Sequence, residues 1–346
     1  VIHRGILRPY DRCITRETMK TAVMISNMGG PDSLDDVEPY LRNIFNDPDI
    51  IDIPLPGPLR KLFVNWLAGK RGPESRDIYR QIGGKSPLLD ITKEQAGLLE
   101  KALNEAGQDE FAVFPAMRYW SPFVDDVWAD MNSGGCDRAV ILSLYPFFST
   151  ATGGSLVNLV GRLSAAGGFS GDNLRVIDRV GEHPAFVKAM AEQIHRFLSE
   201  HSLLDGRQVD LLFSAHSIPV RRVKKGDPYL DEIQRAVKNL ETLLPENLRL
   251  HLSSQSKIGP IKWLEPSTPD KIDELTGSGI RELVVYPLGF VADNSETLYE
   301  LDILYKNHAS RQGIESFLRV PALNTDGLFI RALAELVTES CGAPES

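Results

Sequence analysis

One histidine stands where an apolar strand is predicted to end. Residues 211–219 read Leu-Leu-Phe-Ser-Ala-His-Ser-Ile-Pro, and the run before His216 has the composition of a buried parallel strand. A neutral imidazole accepts a proton near pH 6.5 and also binds borderline metal ions. A single histidine in such a place more often makes a structural hydrogen bond. His216 therefore becomes a candidate for chemistry only if a second reactive group accompanies it.

A second apolar strand is predicted to lead into a helix that carries three carboxylates. Residues 287–305 begin Pro-Leu-Gly-Phe and contain Asp293, Glu296 and Glu300. Spacings of three and four residues place these side chains along one face of an α-helix. Capping of the helix start explains Asp293 and Glu296, whereas Glu300 lies a full turn further on. We interpret the three as a ladder of oxygen ligands for a metal ion that leads to His216, with Glu296 as the acidic partner of the imidazole.

Other kinds of catalytic site are not indicated. The sequence contains neither HExxH nor GxSxG, and the turn Asn27-Met-Gly-Gly-Pro31 lacks the glycine spacing of a nucleotide loop. The three cysteines, Cys13, Cys136 and Cys341, lie far apart without a CxxC pair. This pattern indicates a reducing compartment and argues against a disulfide framework or structural zinc.

Composition places the chain among globular proteins. Its 346 residues are 42% hydrophobic and 25% charged, enough for one large or two ordinary domains. The net charge of −9 argues against a nucleic-acid partner. No apolar run reaches the roughly 18 residues that a membrane span needs. Residues 1–18 are interpreted as an unstructured upstream extension, with Met19 as a natural start.

Strands alternate with helix-length segments along the rest of the chain. The predicted strands are 21–26, 111–117, 139–145, 174–177, 209–214, 248–252 and 283–286. This alternation predicts an α/β protein of two doubly wound, Rossmann-like domains with parallel sheets and a cleft between them. We assign 21–165 to the first domain, together with a helix within 325–342 that packs back on it. The second domain, 166–324, carries His216 and Glu296.

Four segments together resemble the ferrochelatase family: Asn27–Pro31, Gln255–Leu264 and the two segments that carry His216 and Glu296. The resemblance extends from about Thr21 to about Thr338. It implies an enzyme that bends a porphyrin and inserts Fe(II) into protoporphyrin IX to form protohaem, the last step of haem biosynthesis. Iron is then a substrate, and no cofactor is tightly bound. Two alternatives stay open: coproporphyrin as the substrate, and a porphyrin or haem carrier without catalysis.

The resemblance also implies which side chains contact the porphyrin. Arg71 and Ser86 suit hydrogen bonds to a propionate, and Arg118 lies on the side from which metal arrives. The full implied set is Met28, Arg71, Tyr79, Ser86, Arg118, Tyr119, Trp263 and Phe290. Met28 favours protoporphyrin over coproporphyrin, because coproporphyrin enzymes often have tyrosine there.

Three positions depart from the family pattern. Asn294 stands where histidine is frequent, and because an amide neither titrates nor binds metal well, more weight falls on His216 and Glu296. Lys85 stands where glycine is often found. Thr150 replaces a cysteine that binds an iron–sulfur cluster in some members. Thr150 and Cys341 cannot supply four thiolates, so we expect no cluster.

An apolar stripe follows the first predicted helix. It consists of Leu59, Leu62, Phe63, Trp66 and Leu67 and is flanked by Arg60, Lys61, Lys70 and Arg71. The stripe either faces the core or forms a lip that rests on a bilayer surface, and the resemblance favours the lip. We expect a cytoplasmic protein, with residues 59–67 as the candidate contact to the inner face of the membrane. The sequence leaves the oligomeric state open.

Overall fold

The computed structural model describes residues 18–51, 55–106, 109–257, 259 and 261–342, so the predicted extension lies almost wholly outside the described residues. Eight strands in this part of the chain form two four-stranded parallel sheets, which confirms the predicted α/β architecture. The first sheet contains β1 (Lys20–Asn27), β2 (Glu110–Met117), β3 (Arg138–Ser143) and β4 (Leu174–Ile177) in the order β2-β1-β3-β4. The second contains β5 (Val209–His216), β6 (Leu248–Gln255), β7 (Glu282–Tyr286) and β8 (Ser316–Arg319) in the order β6-β5-β7-β8.

Helices connect the strands and cover the sheets. In the first half they are α1 (Val37–Phe45), α2 (Gly57–Gln81), α3 (Leu88–Ala106), α4 (Val124–Ser133) and α5 (Gly153–Ala166). The second half contains α6 (Pro184–Glu200), α7 (Val220–Lys224), α8 (Tyr229–Glu241), α9 (Thr268–Gly277), a π-helix (Glu296–Tyr305), α10 (Lys306–Gln312) and α11 (Gly327–Gly342). Because helices cover both faces of each sheet, the central strands β1 and β5 are buried along nearly their whole length.

Alternating strand residues divide the core into layers. Val23 and Ile25 of β1 join Leu211 and Phe213 of β5 in the largest apolar cluster, which therefore spans both halves. Ala22 and the other outward residues of the first sheet form a separate cluster with α4 and α5. The second sheet has the same arrangement, with Leu212 facing α9 and the π-helix. The shared cluster fixes the two sheets against each other and sets the geometry of the carboxyl ends of their strands.

One strand lies in a different sheet from the one predicted, whereas the last helix packs on the first half of the chain as expected. β4, which was predicted to open the second domain, pairs in parallel with β3, so the first sheet continues beyond residue 165. Its short apolar run gave no sign of which sheet it would join. α11 contacts α3, β3 and β4 as well as α6. The chain thus returns to the first sheet after completing the second.

The apolar stripe of α2 does not face the core. Leu59 is 54%, Leu62 66% and Trp66 57% exposed, and Phe63 packs against Trp66 on the same surface. The helix buries its opposite face through Val64, Ala68 and Tyr79. The core-facing interpretation of the stripe is therefore wrong. None of the helices in the described ranges is both long and apolar enough to cross a membrane.

Candidate active site

The carboxyl end of β5 brings the predicted histidine to the predicted glutamate. His216 Nδ1 lies 2.7 Å from Glu296 Oε2. Strand ends of a parallel sheet meet at one edge, which is where the loop after β7 delivers Glu296. The two side chains are 38% and 22% exposed, so a ligand in the cleft can reach both. The hydroxyl of Tyr229 donates to the carbonyl oxygen of His216 at 2.9 Å and secures the strand end.

The acidic segment is a π-helix rather than the predicted α-helix. Ten residues in this conformation, Glu296–Tyr305, are unusual, since most π segments are single turns. In an α-helix, side chains five residues apart point about 140° away from each other. Here the Tyr305 hydroxyl donates to Glu300 Oε2 at 3.1 Å across that spacing. The wider π turn therefore places Glu300 and Tyr305 on one face, which the α-helical periodicity could not predict.

Ser256 lies between the two glutamates. Its hydroxyl is 2.9 Å from Glu296 Oε2 and 2.7 Å from Glu300 Oε2, and Gln255 Nε2 lies 3.3 Å from the same Glu300 oxygen. The residue has a φ of +64°, a left-handed conformation that is costly for serine. One hydroxyl proton cannot serve two carboxylates at once. The network is complete only when a further proton resides on one of them.

The three titratable groups at this site affect one another. Burial acts to lower the pKa of His216, but the charge of Glu296 outweighs it, so that pKa is raised. Burial acts to raise the pKa of Glu296, yet the His216 and Ser256 contacts lower it overall. Burial and then the charge of Glu296 raise the pKa of Glu300 to about 7. The site thus contains an imidazole of raised pKa in contact with Glu296, and a second carboxyl group, Glu300, whose pKa is about 7, on the other side of Ser256.

Asp293 does not join this cluster. Its carboxylate accepts from Arg319 Nη1, Asn324 Nδ2 and Thr297 Oγ1, each at 2.8 Å. Of the three carboxylates, Glu296 and Glu300 are therefore the two that share a hydrogen-bond partner, Ser256. Within the described ranges, no group of three or more His, Cys, Asp or Glu side chains is arranged to hold a metal ion. A ligand role for Asp293 stays a prediction.

Asn294 has a structural role at the start of the π-helix. It is buried, its Oδ1 accepts from the backbone N–H of Glu296 at 2.7 Å, and its Nδ2 donates to the carbonyl of Ala292 at 3.1 Å. Both ends of the amide are satisfied by backbone. The side chain that replaces the frequent histidine thus orients Glu296 instead of exchanging protons.

Three predicted porphyrin contacts of the first half lie near one another, and one of them also contacts the acidic segment. Tyr79 is buried and hydrogen-bonds Ser295, and burial with the charge of Glu296 raises its pKa to about 12. Ser86 lies directly beneath the turn that contains Met28. A Cβ on Gly30 would be 2.4 Å from Ser86 Oγ, so this close approach requires glycine. The structure thus brings the Met28 turn, Tyr79 and Ser86 together.

The remaining predicted contacts are more dispersed. Arg71 pairs with Glu74 at 3.0 Å on the surface of α2. Trp263 forms an isolated β-bridge with Pro219, which ties its backbone to the loop after β5, and Phe290 is half-buried in the loop after β7. These contacts leave the roles of all three side chains as predictions.

Arg118 and Tyr119 belong to a buried network that the sequence did not reveal. Arg118 Nη2 and the Tyr119 hydroxyl each donate to Asp47 Oδ2 at 2.8 Å, and Ser155 Oγ donates to the same oxygen at 2.5 Å. Burial acts to raise the pKa of Asp47, but the hydrogen bonds from Ser155 and Tyr119 lower it overall. Arg118 thus forms an ion pair with a buried carboxylate.

Four other residues of the site were missed. Tyr229, Gln255, Ser256 and Arg319 contact His216, Glu300 or Asp293 but lack a distinctive spacing in the sequence. One signal was available for Gln255 and Ser256. Gln255 ends β6 and Ser256 follows it, and in a parallel sheet the residues at the ends of neighbouring strands converge.

The model of the family described as Ferrochelatase matches residues 20–341. A ferrochelatase of Geotalea daltonii is 44% identical over 318 residues, which cover 92% of this chain and 97% of the relative. A ferrochelatase of Synechococcus elongatus is 41% identical over 327 residues, covering 94% and 84%. Among solved structures, SirB from Bacillus subtilis with Fe3+ has a TM-score of 0.57 at 8% identity and covers 94% of this chain and 96% of its own. That likeness supports the fold alone.

Proposed function

Because the chain belongs to the ferrochelatase family and is a chelatase that inserts iron into porphyrin to form protohaem, we propose that His216 removes the pyrrole protons and passes them to Glu296. The observation that supports this assignment is the 2.7 Å contact between His216 Nδ1 and Glu296 Oε2. With its Nδ1 proton directed at the carboxylate, the imidazole keeps a lone pair on Nε2 for the porphyrin. Protoporphyrin IX is the proposed porphyrin.

The site must remove two protons from each porphyrin. A porphyrin that takes up Fe(II) releases two N–H protons, and its four nitrogens then bind the metal. A neutral imidazole that carries its Nδ1 proton can accept only one more proton, at Nε2, so a proton must leave the ring before the second pyrrole proton arrives. Glu296 accepts the proton at Nδ1, and Glu300 lies beyond it through Ser256. The pKa of Glu300, about 7, suits release to water at neutral pH.

The direct test is anaerobic absorbance of protoporphyrin IX with Fe(II). We expect the wild type to form protohaem. His216→Ala and Glu296→Gln should still bind porphyrin, but their rate of haem formation should be roughly 10²- to 10⁴-fold lower. Fluorescence titration of porphyrin separates binding from chemistry. Wild-type rates in both variants would contradict the assigned roles. Porphyrin binding without metallation by the wild type, with several divalent metals, would indicate a carrier.

We further propose that the exposed stripe of α2 rests on a membrane surface. The stripe combines four exposed apolar side chains, Leu59, Leu62, Phe63 and Trp66, with the exposed cations Lys61 and Lys70. Lys70 Nζ lies 5.2 Å from the Trp66 ring centroid, so an aromatic ring and a cation share one surface. An apolar patch with such a basic rim suits the headgroup region of anionic lipids. Porphyrins are apolar, so a mouth at the bilayer favours their transfer.

Co-sedimentation with vesicles of phosphatidylcholine and phosphatidylglycerol tests the contact. We expect the wild type to sediment with the vesicles and Trp66→Glu to remain in the supernatant. Leu243→Glu is the matched control, because Leu243 is 53% exposed outside the stripe. Equal sedimentation of all three proteins would exclude the lip.

A further inference from the structure

One arginine bonds to the loop before the π-helix and to a residue within the helix. Arg319, the last residue of β8, is only 11% exposed. Its Nη1 donates to Asp293 Oδ1 at 2.8 Å, while Nε and Nη2 donate to the two oxygens of Asp302 at 2.7 and 2.9 Å. Asp293 precedes the π-helix, and Asp302 lies within it. The planar guanidinium therefore fixes the position of the helix relative to the loop that enters it.

The π conformation needs such a restraint. A π turn is rare, and residues such as Glu296 to Tyr305 prefer to relax into the α-helix. In an α-helix the Tyr305 side chain would point about 140° away from Glu300. The hydrogen bond between them, and with it the position of Glu300 beside Ser256, would then be lost.

Asp302 is not available for the reaction. It forms a paired hydrogen bond with Arg319, and Glu300, two residues earlier, points to Ser256 instead. Neighbouring acidic residues of one helix thus have separate tasks, one structural and one at the site. Thr297 Oγ1 and Asn324 Nδ2 also donate to the Asp293 carboxylate and hold the entry loop in place.

We propose that Arg319 is a positioning residue for iron insertion, which maintains the π-helix by bonding Asp293 and Asp302 at the same time. It touches neither porphyrin nor iron. Its effect is exerted through Glu296 and Glu300, so the inference rests on the function proposed for that pair.

Two conservative variants test this proposal. Arg319→Lys keeps the charge but cannot bond to both carboxylates in the same fork, and Asp302→Asn removes the charged acceptor within the helix. We expect each to lower kcat for iron insertion roughly tenfold to a hundredfold, with the Kd for protoporphyrin unchanged. Hydrogen exchange of the amides in 296–305 should become faster in both. The double variant should be little worse than either single one, because both changes break one contact.

Arg249→Lys is the matched control. Arg249 also makes a paired hydrogen bond with a buried aspartate, to the two oxygens of Asp210 at 2.7 and 3.0 Å, but in β6 and away from the π-helix. It should leave kcat and the exchange of 296–305 unchanged. Wild-type kcat in Arg319→Lys and Asp302→Asn, or an equal loss in Arg249→Lys, would overturn the proposal. His216→Ala distinguishes the two ideas, since it should lower turnover roughly 10²- to 10⁴-fold without faster exchange in the π-helix.

Discussion

The two sheets share one strand order, but their carboxyl ends carry different chemistry. β1 and β5 occupy the same central place in β2-β1-β3-β4 and β6-β5-β7-β8. β1 ends at Asn27, whose Oδ1 accepts from the backbone of Met28, and β5 ends at His216, which contacts Glu296. The same architecture therefore ends one central strand in a neutral amide and the other in a titratable imidazole.

The treatment of carboxylates shows the same division. In the first half, Asp47 forms an ion pair with Arg118 and accepts hydrogen bonds from two hydroxyl groups. In the second, Arg319 forms ion pairs with both Asp293 and Asp302. Among the described residues, the ion pair recorded for Glu296 is with His216 alone, and Glu300 contacts neutral groups. The carboxylates that support the structure are thus paired with arginine. Glu296 and Glu300, which are proposed to carry protons, instead contact an imidazole and neutral groups.

Alanine substitutions at the last residues of β5 and β1 should differ most in their effect on turnover. His216→Ala should lower turnover roughly 10²- to 10⁴-fold, because no other imidazole replaces the base. Asn27→Ala, at the equivalent position, removes one local hydrogen bond and should cost about 1 kcal/mol of stability with turnover within roughly tenfold of wild type. Stopped-flow haem formation and urea unfolding separate the two effects. Comparable losses of turnover would end the distinction between a reactive and a neutral side.

Asp47→Ala tests whether the carboxylate of the first half is structural. The change leaves Arg118, with a side chain only 15% exposed, without its charge partner. Removing one member of a buried pair costs about 3–5 kcal/mol, which a urea midpoint would reveal. Asp47→Asn should recover part of this loss by keeping hydrogen bonds. An Asp47→Ala variant of wild-type stability would show that the network contributes little to the fold.

Glu300→Gln should stabilise the protein at alkaline pH while it impairs catalysis. Because the pKa of Glu300 is about 7 in the folded chain and 4.5 ordinarily, the folded state binds more protons between these values. Stability is therefore lost as the pH rises through this range, and the loss is complete above it. Glutamine removes the titration, so the variant should gain about 1–3 kcal/mol at pH 8 and much less at pH 5. Urea unfolding at the two pH values provides the comparison, and a constant difference would contradict the assigned pKa.

Two tyrosines offer the smallest and most closely matched contrast. Tyr119 donates to Asp47 in the first half, and Tyr305 donates to Glu300 in the second. Tyr119→Phe and Tyr305→Phe should each cost about 1 kcal/mol in urea unfolding. Only the second should also change turnover, because Tyr305 helps to hold Glu300 at the site. Equal turnover in both variants would place Glu300 outside the proton path.

The sequence predicted what depends on local composition. Apolar runs ending at His216 and before Glu296 identified two strands, and the convergence of parallel strand ends then made their contact predictable. The membership of β4 could not be derived in this way, since a four-residue strand carries no information about its neighbour. The exposure of Leu62 and Trp66 could not be predicted either. An amphipathic stripe has the same sequence pattern whether it packs on the core or on another surface.

The supporting residues of the site were less predictable. Spacings of three and four residues are α-helical, so they grouped Asp293 with Glu300 and concealed the contact between Glu300 and Tyr305. Arg319 lies at the end of a short strand and contacts Asp293 only through the tertiary fold. The reactive pair was visible because its chemistry is unusual, whereas the residues that orient it have ordinary types.

The position of α11 has a consequence for the order of folding during synthesis. α11 contacts α3, and Gln95 of α3 donates to the carbonyl of Asn324, 229 residues later, at 2.8 Å. The first sheet therefore leaves the ribosome long before the helix that covers part of it. Contacts so distant in sequence form slowly. The half that is translated first is accordingly expected to be completed last, and to depend until then on protection from aggregation.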